Sequence, residues 1–458
     1  MSTQSPTAPE SGRVGLSHRP DPSYALPSVR AQVREALLAG GLGRTDPAAP
    51  LKDLIPEGGS VLLKPNWVHH ANPSRSGTDC LVTHPSVIEA ALEEVCAARP
   101  SRVILGDAPV QSCIWEELVT PQRLRRWQEV AARGGVALEV VDFRRSIVPT
   151  GQMEGGVLTD LRPLERYALF DLGKHSLLEP ISTSRGDFRV GDYDHRLLSR
   201  THHRGVHQYL LAREPFEVDV VLSLPKLKTH RKAGLTGALK NLVGLNGNKD
   251  YLPHHRVGGS ALGGDNFPGA SPTRHLAEWV QDLANQRIGS AAYPWLRRVA
   301  RGLRGLSGGG GKMGGAWHGN DTTWRMTLDL NRCLLYGRAD GTMADTPQRR
   351  IYSLTDAIIA GQGEGPLKPA PHPLGAVTFA SSSVAAEVVH AHLMGLDPDR
   401  LALIRRSREG FRWSLAPDEI VLWSEGRQWS IEEAFPRWGR AARPAAGWAG
   451  NIELGGAS

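Results

Sequence analysis

The sequence has few cysteines and no long apolar run, and each shortage excludes a class of protein. Four cysteines occur in 458 residues, without a C-x-x-C pair. Their spacing excludes a ferredoxin-type iron–sulfur cluster and a cysteine-ligated zinc site, and it disfavours a disulfide scaffold. No apolar run reaches the roughly 18 residues that a membrane span needs, and the N-terminus lacks the apolar core of a signal peptide. We therefore expect a cytoplasmic protein with no membrane span.

Lysine is also scarce, because ten lysines stand against 44 arginines. Five of the ten lie within residues 226–249. A lysine offers a compact ammonium that can lose its proton, whereas arginine stays charged. The clustering therefore indicates positions where an amine or ammonium is specifically needed. The net charge of +7, spread over so long a chain, is too small to indicate nucleic acid by itself.

Apolar runs and helical patterns alternate along the chain. This alternation predicts an α/β fold, a mostly parallel sheet with crossover helices. The predicted strands are 59–66, 102–109, 136–142, 218–225, 375–380 and 420–424, and the predicted helices are 28–38, 85–98, 121–133, 322–335 and 384–394.

The α/β domain is expected over residues 28–440, as one large unit or as two lobes divided near 145 and 370. Composition predicts that residues 1–27, rich in Ser, Pro and Gly, are disordered. The tail 441–458 is rich in Ala and Gly and is predicted to be flexible. Four consecutive glycines predict a flexible loop at 303–316.

Polar residues follow several of the predicted strands. Lys64 and Asn66 follow the first strand, Asp107 ends the second, and Lys226 follows the fourth. In open parallel sheets, ligands bind beyond the carboxyl ends of the strands. We therefore expect Asn66, Asp107 and Lys226 to lie along one edge of one sheet.

Residues 224–249 combine a strand ended by proline, a basic turn and a helix start with glycine and threonine. Backbone N–H groups and a helix dipole bind anions in such arrangements, although the glycine spacing is not that of a Walker loop. The four-residue spacing of Thr236 and Lys240 predicts that they share a helix face, beside Asn241. We predict a phosphate or carboxylate held by Lys226, Lys228 and Lys240.

Histidine is concentrated too, with seven of 17 histidines between residues 195 and 255. Histidine binds divalent metals and titrates near neutrality, so a metal site, acid/base chemistry and structural roles all stay open. No H-E-x-x-H motif is present. The candidate ligands of a divalent metal are His195, His202, His254 and His255.

The tight glycine-dense turn predicted at 361–366 carries Glu364, which is a candidate substrate contact.

These segments resemble the domain of unknown function 362 family from about residue 55 to residue 400. Many members carry an appended ferredoxin-like iron–sulfur segment and an export signal, and this chain has neither. The resemblance implies the extent of the domain and assigns no reaction. The matching stretches are Lys64-Pro-Asn-Trp67, Thr83-His-Pro85, Gly106-Asp-Ala-Pro109, Leu224-Pro-Lys-Leu-Lys-Thr-His230, Gly237-Ala-Leu-Lys-Asn241, and Asp356 with Gly361-x-Gly-x-Gly-Pro366.

We expect an enzyme of small-molecule biosynthesis that acts on an anionic carboxylate or phosphate substrate. Asp107 and His230 are the predicted acid/base pair, and Lys64 and Asn66 would position or polarise the substrate. The reaction stays open between group transfer, elimination and redox chemistry. The alternative is a non-catalytic module that binds a phosphorylated ligand or RNA. Nucleic acid is disfavoured because residues 226–249 contain no aromatic side chain to stack on bases.

Overall fold

The structure, a computed structural model, describes residues 12–152, 154–191, 193–307 and 312–455. Its strands, numbered in chain order, are β1 (Arg13–His18), β2 (Ser60–Pro65), β3 (Arg102–Asp107), β4 (Ala137–Asp142), β5 (Ser146–Ile147), β6 (Thr159–Asp160), β7 (Tyr167–Asp171), β8 (Phe188–Arg189), β9 (His202–His203), β10 (Val206–Ala212), β11 (Val220–Leu224), β12 (Lys226–His230), β13 (Gly234–Thr236), β14 (His255–Arg256), β15 (Arg350–Glu364), β16 (Lys368–Ala380), β17 (Val421–Ser424) and β18 (Arg427–Trp429).

The helices begin at recognisable capping residues. The Thr120 hydroxyl accepts from Arg123 N at 3.3 Å and the His84 ring from Ser86 N at 3.1 Å, each just before a proline in the first helical turn. No helix in the described ranges is long and apolar enough to cross a membrane. The helices are α1 (Leu26–Ala39), α2 (Pro85–Ala97), α3 (Trp115–Leu118), α4 (Pro121–Arg133), α5 (His195–Thr201), α6 (Ala238–Asn241), α7 (Pro272–Asn285), α8 (Ala292–Leu306), α9 (Thr323–Tyr336), α10 (Ser383–Leu393), α11 (Ala402–Ser407) and α12 (Ala434–Trp438).

A mixed sheet of eleven strands, counted over the described residues, has the order β18-β17-β1-β16-β15-β11-β2-β3-β4, with β12 and β13 beside β15. The five strands from β15 to β4 are mutually parallel. β16 runs antiparallel to both β15 and β1. The predicted α/β fold with a mostly parallel sheet is therefore confirmed.

Both faces of the sheet are covered. Neighbouring residues of a strand point to opposite faces: Val61 and Leu63 of β2 pack with α1, α2 and α4, whereas Leu62 packs with β7, β10 and α9. Burial on both faces explains why this strand is a continuous apolar run. α10 covers β1 and β16 together with the C-terminal segment.

The prediction of a disordered segment at 1–27 is wrong for its described part. β1 pairs antiparallel with β16 and parallel with β17, and α1 begins at Leu26. Both partners of β1 lie near the other end of the chain, so local composition does not reveal the pairing. Residues 1–11 of the predicted segment lie outside the described residues.

The prediction of a flexible tail at 441–458 is also wrong over its described residues. Trp448 and Ile452 are buried, and the Trp448 indole N–H donates to Arg231 O at 2.6 Å. Of the predicted loop at 303–316, residues 303–306 belong to α8 and residues 308–311 lie outside the described part of the chain.

The segment around the lysine cluster folds differently from its prediction. The basic turn is a hairpin of β12 and β13, so Thr236 lies on a strand and shares no helix face with Lys240. The predicted glycine-dense turn at 361–366 is mostly the end of β15, paired with β16. The lobe boundary predicted near 370 falls inside β16, where the sheet is continuous.

Candidate functional site

The carboxyl ends of β2, β3 and β11 meet because these strands are parallel neighbours. Lys64 of β2 and Asp107 of β3 form a buried ion pair, with 2.6 Å between Nζ and Oδ1. Asn66, just beyond β2, accepts at Oδ1 from Lys228 Nζ at 2.5 Å. This edge therefore brings Lys64, Asn66 and Asp107 together, and Lys228 rather than the predicted Lys226 contacts them.

The Lys64–Asp107 pair is held by further hydrogen bonds. The Asp107 carboxylate accepts from Trp67 N at 2.6 Å and from Ala108 N at 2.9 Å, while Lys64 Nζ also donates to Pro65 O at 2.8 Å. Burial raises the pKa of Asp107 and lowers that of Lys64, and the contact between the two opposes both shifts. With its oxygens occupied, Asp107 fixes the loop after β2 rather than acting as a free base.

Asn241, at the end of α6, connects the lysines of this edge. Its Oδ1 accepts from Lys64 Nζ at 3.1 Å and from Asn66 Nδ2 at 3.0 Å. Its Nδ2 donates to Ser223 Oγ at 2.8 Å and to Lys64 O. All four hydrogen-bonding positions of the amide are used inside the protein, so Asn241 is a positioning residue and not the substrate contact that the sequence predicts.

Lys226 also differs from its prediction as an anion ligand. Its Nζ is buried, 2.8 Å from Asp356 Oδ2 and 2.6 Å from Tyr24 OH. The Tyr24 hydroxyl in turn donates to Asp356 Oδ1 at 2.8 Å. The positive charge is therefore already compensated, and Lys226 lies outside the cavity lining.

A cavity of about 660 Å³ opens beside the Lys64–Asp107 pair. Apart from the solvent-exposed Lys368, three lysines line it with no carboxylate within ion-pair distance among the described residues: Lys228, Lys240 and Lys249. The rest of the wall is largely apolar, with side chains from several separate segments. The apolar lining consists of Val68, Val110, Val148, Val157, Leu158, Val190, Leu197, Val243, Ile288 and Leu367.

The three lysines differ in how firmly they are held. Lys228 Nζ donates to Asn66 Oδ1 and to Leu81 O. Lys240 and Lys249 make no hydrogen bond or ion pair with any described residue. Lys249 is a functional candidate that our sequence interpretation missed, although it belongs to the same lysine cluster.

Burial and neighbouring cations lower the pKa of each of these amines. The pKa falls to about 7 for Lys228, mainly by desolvation and then by repulsion from Lys226. It falls to about 7 for Lys240, beside Lys249 and Lys232, and to about 8 for Lys249, where Asp107 offsets part of the desolvation. At neutral pH these side chains therefore exist partly as free amines, and a bound anion would favour their charged forms.

His230 lines the same cavity in a defined tautomer. Its Nδ1 accepts from Lys232 N and Ala233 N, each at 3.0 Å, so the proton of the neutral ring lies on Nε2. Burial, and then repulsion from Lys240, hold the pKa of His230 well below its usual value. His230 is therefore a neutral hydrogen-bond donor, which corrects its predicted role in an acid/base pair with Asp107.

His254 also lines the cavity, and its ring is the opposite tautomer to that of His230. Its Nδ1–H donates to Leu252 O at 2.7 Å, which leaves Nε2 as a hydrogen-bond acceptor. Burial and the nearby lysines keep its pKa well below the usual value. The cavity thus contains one neutral imidazole that donates and one that accepts.

The histidines predicted as metal ligands do not converge. His195 lies 3.6 Å from Asp282, His202 contacts the His207 ring, and His255 is buried apart from the cavity lining. Across the described ranges, no group of three or more His, Cys, Asp or Glu side chains could hold a metal ion. The crowded histidines belong to several separate short elements, among them α5, β9 and β14.

Glu364 reaches the cavity rim but is occupied by other partners. Its carboxylate lies 3.0 Å from Arg231 Nε and accepts from Ala446 N at 2.8 Å. It links β15 to the C-terminal segment. The predicted substrate contact is therefore a rim residue held in a salt bridge.

The family comparison agrees with the resemblance inferred from the sequence. Residues 181–392 match the model of a domain of unknown function, DUF362. The match includes the lysine cluster, β15 and β16, and it is narrower than the extent predicted from the motifs. None of the curated proteins matches this chain.

Two solved structures are similar to this chain at low identity. One is a protein from Thermotoga maritima, 12% identical, covering 81% of this chain and 59% of that chain, with a TM-score of 0.32. The other is the lactate racemase apoprotein from Thermoanaerobacterium thermosaccharolyticum, 11% identical, covering 86% of this chain and 59% of that chain, with a TM-score of 0.31. The chain spans about 59% of the length of each.

Proposed function

We propose that this chain is an enzyme that acts on a small organic anion bound in the cavity beside the Lys64–Asp107 pair. Lys228, Lys240 and Lys249 are the anion ligands. The observation that carries the proposal is that these three lysines line one cavity and that none of them has a carboxylate within ion-pair distance among the described residues. Lys228 is buried and Lys240 and Lys249 are half-buried; charges shielded from water in this way are ordinarily paired, so an unpaired cationic group of this kind suits a charged ligand.

Electrostatics supports an anion rather than a neutral ligand. Each lysine has a lowered pKa because burial and cationic neighbours disfavour its charge. A carboxylate or phosphate among them would offset the repulsion and accept charge-assisted hydrogen bonds. The ligand and the protons would therefore bind cooperatively.

The shape and lining of the cavity support a small molecule with an apolar part. A volume of about 660 Å³ lies within the range of about 300–1,000 Å³ that is usual for small-molecule sites. Valine, leucine and isoleucine side chains make up much of the rest of the lining. The anionic group would lie at the lysines while the apolar part contacts this wall.

The chemistry of the cavity favours catalysis over binding alone. Lys240, with a pKa lowered to about 7, is suited to give or take a proton at neutral pH. His230 offers a neutral N–H and His254 a neutral acceptor in the same cavity. The Lys64–Asp107 pair and Asn241 would hold the surrounding backbone and the Asn66 side chain in place.

The test is calorimetric titration with phenyl phosphate and benzoate, using phenol and benzamide as neutral counterparts. We expect binding of one or both anions and none of the neutral compounds. Lys228→Met and Lys240→Met should each weaken it at least tenfold, because a charge-assisted hydrogen bond contributes about 1.5–3 kcal/mol. Lys52→Met is the matched control, since Lys52 is a surface residue paired with Asp46.

Equal affinities in the Lys228, Lys240 and Lys52 variants would overturn the proposal. Binding of RNA, with an affinity that falls about 10³-fold or more between low and moderate salt, would instead support the non-catalytic alternative.

A further inference from the structure

We propose that Lys240 is an imine-forming nucleophile and that the substrate is an oxo acid, an anion that also carries a carbonyl group. The inference rests on the proposed function, since it assigns a chemistry to the same cavity. It goes further by separating one lysine, as the reacting group, from two that bind charge.

Lys240 is distinguished from the neighbouring lysines by its contacts. Lys64 and Lys226 are each held by a carboxylate, and Lys228 by two oxygen acceptors. The Lys240 amine reaches the cavity with no acceptor among the described residues. Lys240 and Lys249 are therefore the amines of this cluster that can turn toward a bound molecule without breaking a contact with a described residue.

The surroundings of Lys240 also differ from those of Lys249. The charged groups that act on Lys240 are all cationic, namely Lys249, Lys232 and Lys64. Lys249 is stabilised as an ammonium by Asp107. A desolvated lysine beside other cations loses its proton readily, which is the usual way in which a protein activates an amine for imine formation. Lys249 and Lys228 keep the role of binding the carboxylate.

His230 supplies the complementary polar contact. His230 lines the cavity, and because its Nδ1 accepts from two backbone N–H groups, Nε2–H is the donor that its ring can offer to a ligand. A neutral N–H donor polarises a carbonyl oxygen and stabilises the charge that develops on it during addition. Because its pKa lies far below neutrality, the ring acts through a hydrogen bond and stays uncharged.

The step balances without a further reactant. The lone pair of Lys240 Nζ forms a bond to the carbonyl carbon while the C=O π electrons move to oxygen, which takes up one amine hydrogen to give a carbinolamine. The C–O bond then breaks as C=N forms, and the second amine hydrogen leaves with the oxygen. The products are a lysine imine and one water molecule.

The experiment is reductive trapping with sodium cyanoborohydride, using glyoxylate and pyridoxal 5′-phosphate as probe aldehydes that carry an anionic group. Peptide mapping by mass spectrometry locates the adduct. We expect one main adduct, on Lys240, whose rate of formation rises as the pH increases through about 7. The exposed lysines Lys52 and Lys174 serve as the internal comparison and should carry little adduct at pH 7.

The control variant is Lys240→Arg, which keeps the positive charge and cannot form an imine. It should lose at least 90% of the adduct while retaining the thermal stability of the parent. Labelling spread evenly over the lysines, or no adduct on Lys240 with either probe, would overturn the proposal. Benzoate or phenyl phosphate binding without an adduct would leave the proposed function standing. Adduct formation that neither inorganic phosphate nor benzoate slows would instead count against the anion site.

Discussion

Replacement of Lys64 by methionine tests how the edge of the sheet is held together. Lys64→Met keeps the length of the side chain and removes its charge. The Asp107 carboxylate would stay buried, with only the backbone N–H groups of Trp67 and Ala108 as donors. Removal of one partner of a buried ion pair typically costs about 3–5 kcal/mol, because the other charge is left uncompensated. We expect a loss of that size in the free energy of unfolding.

The double variant Lys64→Met/Asp107→Asn separates the charge from the packing. Because no buried carboxylate is left, its loss in the free energy of unfolding should be smaller than the sum of the losses in the two single variants. The difference, which is the coupling energy, should be about 1–3 kcal/mol. Urea denaturation at pH 7 measures all four proteins of this cycle. A loss below about 1 kcal/mol for Lys64→Met, which is the value of an exposed pair, would refute the reasoning.

Stability as a function of pH gives a second check on this pair. Burial raises the pKa of Asp107 in the folded protein, and loss of the lysine would raise it further. A carboxyl group with a raised folded-state pKa binds protons more tightly than the unfolded chain does. The stability deficit of Lys64→Met should therefore shrink as the pH falls through the folded-state pKa, and a deficit that grows on acidification would contradict the account.

Three further substitutions test separate parts of the structure. Gly244→Ala would place a methyl group 2.2 Å from Asp107 Oδ1, so we expect a loss of about 1–3 kcal/mol in urea denaturation. Trp448→Ala should lower the free energy of unfolding by about 3–5 kcal/mol in the same assay, because the indole is buried and hydrogen-bonded to Arg231 O. A loss below about 1 kcal/mol would mean that the C-terminal segment does not pack against the rest of the protein. Lys226→Met should destabilise the fold without weakening phenyl phosphate binding, since Lys226 does not line the cavity and its charge disfavours the Lys228 ammonium. Weaker binding would mean that Lys226 contacts the anion.

The fold could be predicted where local signals and burial coincide. The predicted bounds of α4, 121–133, agree with the structure, because Thr120, Pro121 and Gly134 are typical residues for the ends of a helix. β1 was missed because its six residues pair with strands more than 300 residues away in the sequence. Contacts at such a separation leave no local pattern.

The position of the candidate site in the fold could be predicted from the sequence, but the contacts of its individual lysines could not. The rule that parallel strands present their carboxyl ends at one edge brought Lys64, Asn66 and Asp107 together correctly. It could not separate Lys226 from Lys228, since residues two apart share a face of a regular strand. A register shift between them, where β12 pairs with β15, sends Lys226 to Asp356 and Lys228 to the cavity. A register shift of this kind depends on the partner strand.

The central claim is that an anion binds to lysines that are partly deprotonated in the free protein. Calorimetric titration with phenyl phosphate or benzoate at pH 8, in buffers of different ionisation enthalpy, measures the protons taken up on binding. An anion raises the lowered pKa values of Lys228 and Lys240, about 7 in the free protein, so the complex holds more protons than its free components. We predict uptake of about one proton per bound anion and an affinity that falls as the pH rises above 8. Binding without proton uptake, or no binding of either anion, would contradict the claim.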